Sequence, residues 1–106
     1  MKRYLLAFIT IVAMSVIAPA KAAAVYDGNE ILLSCEQGHL RCIYYLAGVQ
    51  DVWNDRDSKK YCMPDGVNLA ELRKVFIKYA KNNPGKLNVA ASSVTIKAFR
   101  AAFPCE

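Results

Sequence analysis

The sequence predicts an all-α fold: a small four-helix domain stapled by two disulfides, after a cleaved signal peptide. Apolar residues recur at helical spacing in several segments, and no segment alternates with period two for long enough to predict a strand. All four cysteines follow an N-terminal apolar run that is organised like an export signal. Together these features predict a helical domain made for an oxidising compartment.

The N-terminal segment has the parts of a secretory signal peptide. Lys2 and Arg3 precede an apolar run over residues 4–17, and small residues suited to a signal peptidase end the segment at Ala22. The run is shorter than the roughly 20 residues that span a bilayer. We therefore predict a signal peptide over residues 1–22 and no membrane association after its removal.

The mature domain, residues 23–106, is expected to be small and nearly neutral. Cleavage after Ala20 or Ala24 is an alternative to cleavage after Ala22. The predicted signal peptide contains three basic and no acidic residues, so its removal lowers the net charge from +5 to +2. The remaining charges are scattered, which argues against nucleic acid as a partner. A chain of this length supports one core, and such domains often need covalent staples.

The four cysteines predict two disulfides. Cys35, Cys42, Cys62 and Cys105 form an even set in an exported domain, and three pairings are possible. We favour Cys35 with Cys42, because Gly38 permits a tight return between them, and Cys62 with Cys105. The loop-entropy model gives ~2.5 kcal/mol for the short loop and ~4 kcal/mol for the long one.

The sequence contains no pattern that predicts catalysis or a cofactor. The cysteine spacings lack the close C-x-x-C pairs typical of zinc sites, so no metal is expected. His39 is the only histidine, and it lies in the turn between the first two cysteines, where an exposed structural role is expected. No Gly-rich phosphate loop, G-x-S-x-G elbow or pair of catalytic carboxylates is present. The sequence therefore argues against an enzyme.

The first two helices are predicted on either side of Gly38. Asn29 precedes a short helical segment over residues 30–35, and Gly38 ends it. Residues 40–53 form a longer amphipathic pattern without proline, the predicted central helix. Gly48 within it costs about 1 kcal/mol relative to alanine, which favours close packing against another helix over simple tolerance.

A charged segment over residues 54–60 has too few apolar side chains to be buried. It is either a plain solvated connection or a protruding recognition loop between two rigid helices.

Two further helices follow. Asn68 and Glu71 resemble a capping box, and apolar residues then recur at helical spacing until the segment 83–85, Asn-Pro-Gly, stops the helix. Asn88 is predicted to cap a last helix that runs to about Ala102.

Three segments carry a resemblance to a known family. They contain, in order, Cys-x-x-Tyr-x-x-Gly, Tyr-Cys-x-Pro-Asp-Gly-Val and Phe-Pro-Cys, and they lie in residues 42–51, 61–73 and 98–105. This series resembles the Rap/Tai immunity protein family over nearly the whole predicted mature chain, from about Leu32 to Cys105.

The resemblance implies a function in binding. Characterised proteins of this family are periplasmic, helical and often homodimeric, and they bind and block peptidoglycan amidases delivered by the type VI secretion system. An immunity protein of this kind occludes the catalytic cleft and needs no chemistry of its own. The family also includes exported proteins without a known toxin, so a toxin-independent periplasmic binding or chaperone-like role is the alternative.

The resemblance transfers few residues to a functional site. The matching cysteines are structural, whereas the surface that contacts an effector is expected to vary. Candidate partner-binding residues are therefore chosen on predicted exposure in the charged segment: Asn54, Asp55, Arg56, Asp57 and Lys59.

Overall fold

The computed structural model describes residues 24–56 and 60–106, which form a bundle of four helices. They are α1 (Gly28–Glu36), α2 (Leu40–Asn54), α3 (Leu69–Asn82) and α4 (Ala91–Ala102), with a 3₁₀ turn at Pro84–Lys86 before α4. The described residues contain no strand, apart from an isolated bridge between Asp27 and Ala90. The all-α prediction is confirmed, while the predicted signal peptide lies outside the described residues.

No helix in the part of the chain that the structure describes is long and apolar enough to cross a membrane.

The core lies where the apolar stripes of all four helices meet. Each helix contributes side chains three or four residues apart, because residues at that spacing share one face. The buried residues include Ile31 and Cys35 of α1, Cys42 and Leu46 of α2, Leu72, Phe76 and Ala80 of α3, and Val94, Ala98 and Phe99 of α4. Loop residues Tyr61 and Leu87 complete the cluster.

The starts of α1 and α4 differ from those predicted. α1 is capped by Asp27, whose side chain accepts from the Glu30 backbone N–H, and Glu30 completes the capping box. Asn29 instead donates from its side chain to that of Asn88 at 2.7 Å. Asn88 therefore does not cap α4, which begins later, after Ala90 and without a side-chain cap.

Backbone pairing explains the late start of α4. The Ala91 N–H donates to the Tyr26 carbonyl at 2.9 Å, and the Gly28 N–H lies 2.9 Å from the Leu87 carbonyl and 3.0 Å from the Val89 carbonyl. The segments that lead into α1 and α4 thus satisfy each other's polar groups before either helix begins.

The expected packing role of Gly48 is wrong within this chain. Gly48 is exposed, and a β-carbon added there would meet nothing within 4 Å. Close packing occurs at Gly28, where an added β-carbon would lie 2.7 Å from Val94 Cγ2 and 2.9 Å from the Leu87 carbonyl oxygen.

Both predicted disulfides, Cys35–Cys42 and Cys62–Cys105, are confirmed. The first is buried in the core between α1 and α2, whereas both cysteines of the second are exposed. The second disulfide ties the segment before α3 to the chain's C-terminal end.

Candidate partner-binding surface

The charged segment after α2 begins with three of the five candidate residues. α2 extends through Asn54, one residue past its predicted end, and Asp55 and Arg56 follow it. All three are exposed, as the segment's composition predicts. The other two candidates, Asp57 and Lys59, lie outside the described residues.

Trp53 contacts both sides of this segment. The Arg56 guanidinium carbon lies 4.6 Å from the Trp53 ring centroid, and the Lys60 Nζ lies 5.9 Å from it. A cation over an indole face is stabilised by about 0.5–1 kcal/mol at an exposed site. One half-buried ring on α2 therefore positions two positive charges of the segment, Arg56 near its start and Lys60 at its end.

A second anchor fixes the far end of the segment to α4. The Cys62 N–H donates to the Phe103 carbonyl at 2.8 Å, and Arg100 Nε donates to the Lys60 carbonyl at 3.2 Å. Tyr61 is only 5% exposed; its ring meets Phe99 edge-to-face at 5.2 Å. These contacts hold residues 60–62 on the bundle.

The Tyr61 hydroxyl links this anchor back to α2, because it donates to Gln50 Oε1 at 2.7 Å. The segment after α2 therefore leaves from one helix and returns against the same helix and α4. Trp53, Lys60, Tyr61 and Arg100 were not among the sequence-based candidates. Trp53 and Arg56 are three residues apart, so the sequence indicates their contact. The contacts of Lys60 and Arg100 depend on the fold.

The burial of Tyr61 predicts that the protein loses stability at high pH. Burial raises the pKa of Tyr61 to about 12 from its ordinary value of 10.0. The unfolded chain therefore loses the Tyr61 proton at a lower pH than the folded protein does. The contribution of the buried, neutral side chain to the free energy of unfolding is complete below pH 10 and is lost as the pH rises through about 12. In urea denaturation at about pH 9 and about pH 11, the wild type should lose more unfolding free energy than Tyr61→Phe. Equal losses would contradict the assignment.

Two hollows lie on this surface: a small one beside Trp53 and Tyr61, and a wider, shallow one lined by Asp51, Val52, Asp55 and Arg56. The hollow beside Trp53 and Tyr61 has a volume of about 130 Å³, below the roughly 300–1,000 Å³ of ordinary ligand pockets. Among the described residues, no group of three His, Cys, Asp or Glu side chains is placed to hold a metal ion. All four cysteines are in disulfides, so none is a free nucleophile. His39 is exposed and pairs with Gln37, 3.0 Å away.

Comparison with known proteins agrees with the resemblance noted in the sequence. Comparisons with curated proteins and with solved structures find no match. A family model described as Rap1a immunity proteins matches residues 27–105, which include all four helices and both disulfides. The chain belongs to the family of Rap1a immunity proteins.

Proposed function

We propose that this protein is a periplasmic immunity protein that binds and occludes a type VI secreted peptidoglycan amidase. Membership of the Rap1a family supports immunity against a secreted effector. The sequence resemblance implies the two finer parts of this proposal, that the effector is an amidase and that the protein acts in the periplasm. The observation that carries the proposed site is the pair of exposed cations, Arg56 and Lys60, that the Trp53 ring contacts, with Tyr61 bonded to α2 beside them.

Anchoring favours binding because it lowers the entropy lost when a partner is engaged. Arg56 and Lys60 already contact the Trp53 ring in the free protein, so their charges are positioned before an effector arrives. Such a protein inhibits by covering a catalytic cleft, which requires complementary charge but no reacting group. The family suggests this non-enzymatic role. We also propose that the inhibitor acts as a homodimer.

The direct test is capture followed by inhibition. The purified, oxidised protein would be incubated with type VI amidases from the same and related bacteria, and bound amidases would then be assayed on peptidoglycan. Stoichiometric binding and inhibition of one amidase would support the proposal. Capture of many unrelated unfolded proteins without amidase inhibition would instead favour the toxin-independent, chaperone-like role, for which the exposed side chains of Leu33, Leu40, Tyr44 and Val52 offer apolar surface.

Arg56→Glu should weaken the inhibited complex without unfolding the protein. Reversing a charge at the contact surface should raise the Kd for the amidase at least about tenfold, chiefly through charge complementarity. The loss of the Trp53 contact should cost at most about 1 kcal/mol of unfolding free energy. Calorimetric titration of each variant with the amidase measures the affinity, and urea denaturation of the free variant measures its stability.

The matched control for this variant is Lys74→Glu, which makes the same charge change at an exposed position on α3. It should leave the Kd unchanged. Equal affinities for wild type, Arg56→Glu and Lys74→Glu would remove the segment after α2 from the proposed interface.

A further inference from the structure

We propose that the exposed face of α2 binds a second copy of this chain, with the two α2 helices antiparallel and Gly48 at the two-fold axis. This inference identifies the surface for the homodimer in the proposed function. Its test needs no effector. The proposed dimer surface can therefore be wrong while amidase inhibition is right, and amidase inhibition can be wrong while the dimer surface is right.

The α2 outer face, defined as Leu40, Arg41, Tyr44, Gly48, Val52 and Asp55, has the composition of an interface rather than of a solvated helix. Leu40 is 63% exposed, Tyr44 64% and Val52 55%. With Gly48 they recur every four residues, so they form one stripe opposite the buried Cys42 and Leu46. A contiguous exposed apolar patch commonly marks an interaction site.

The charges on this face indicate what covers it. Arg41 lies in the first turn of α2, while Asp51 lies in the last turn and Asp55 at the C-cap. Each has the sign that the helix macrodipole disfavours at that end. In an antiparallel pair of these helices, the end that carries Arg41 lies beside the end of the other helix that carries Asp51 and Asp55. Charges that oppose the dipole of their own helix are then paired with opposite charges of the partner.

The spacing along α2 is symmetric about Gly48. Arg41 and Asp55 lie seven residues before and after it, nearly two helical turns, and Tyr44 and Val52 lie four residues before and after it. Antiparallel pairing centred on Gly48 therefore places Arg41 opposite Asp55 of the partner subunit and Tyr44 opposite Val52 of the partner subunit. This self-complementarity favours a second copy over an unrelated partner.

Two local features fit this pairing. Gly48 has no β-carbon and nothing within 4 Å of where one would lie, so the two backbones can approach closely there. A shallow hollow lined by Asp51, Val52, Asp55 and Arg56 lies at the end of the face that would receive the partner's Arg41. Arg56 is the one positive group of that hollow, and it is turned onto the Trp53 ring. Arg41 is supported by the Tyr26 ring, 5.2 Å from its guanidinium carbon.

Sedimentation of charge-exchanged variants tests the pairing. The purified, oxidised wild type should be a concentration-dependent dimer. Arg41→Glu and Asp55→Lys should each raise the dimer Kd at least about tenfold, because each creates two like-charge contacts. The double variant Arg41→Glu/Asp55→Lys restores opposite charges and should return to within about threefold of wild type. Lys74→Glu on α3 is the control and should dimerise like the wild type.

Gly48→Leu tests the axis separately. A β-carbon added at Gly48 meets nothing within 4 Å in the single chain, so at concentrations where the wild type is monomeric the melting temperature of the variant should not fall. At higher concentrations the leucine should hold the two helices apart, and the variant should sediment as a monomer. A monomeric wild type at every concentration would overturn the proposal. So would a dimer that Gly48→Leu leaves intact, or a double variant as weak as the singles.

Discussion

Replacing Cys62 and Cys105 together by serine should lower the free energy of unfolding by about 4 kcal/mol. The disulfide joins residues 43 apart in sequence, so its loss restores a large amount of conformational freedom to the unfolded chain. Both positions are exposed, and the serine hydroxyls will be solvated, so no cavity or buried polar group contributes. Urea denaturation of the oxidised proteins measures the difference.

The matched comparison is Cys35→Ala/Cys42→Ala. Its loop closes over a separation of only 7 residues, for which the entropy model gives about 2.5 kcal/mol. Because both cysteines are completely buried, the lost sulfur contacts add to that figure. Loss of less than about 1 kcal/mol in Cys62→Ser/Cys105→Ser would show that chain entropy is not the main effect of the long disulfide.

Gly28→Ala should destabilise the protein by about 2–3 kcal/mol. The added methyl group would lie 2.9 Å from the Leu87 carbonyl oxygen, which belongs to the backbone, and 2.7 Å from Val94 Cγ2 in the core. The Gly28 N–H also bonds the carbonyls of Leu87 and Val89, so any movement that relieves the contact disturbs the connection before α4.

Gly48→Ala is the control for Gly28→Ala, since it makes the same chemical change in open space. It should stabilise the isolated subunit by about 0.5–1 kcal/mol, the ordinary gain of alanine over glycine in a helix interior. Denaturation at low protein concentration keeps subunit association out of this measurement. Similar losses in both variants would mean that close contact at Gly28 is not the cause.

Several features of this protein follow from the sequence alone because their causes are local. Helical spacing of apolar residues predicted α2 and α3, and Asn68 accepts from the Glu71 N–H at 2.9 Å as a helix cap should. The count of cysteines in a predicted exported domain indicated two disulfides, and Gly38, with a φ of 70°, makes the tight return between the first two. The order and internal spacing of the three cysteine-containing motifs indicated the family.

Only the tertiary structure decided which residues far apart in the sequence contact each other. Asn88 looked like the cap of α4, but its side chain bonds that of Asn29, 59 residues away, and α4 begins later, after Ala90. The packing role predicted for Gly48 fails for the same reason: Gly48 faces outward, and the close contact with α4 occurs at Gly28. Local patterns state what a segment can do alone, whereas contacts between segments depend on where the whole bundle places them. The exposed face of α2 and the anchoring of the charged segment belong to this second kind.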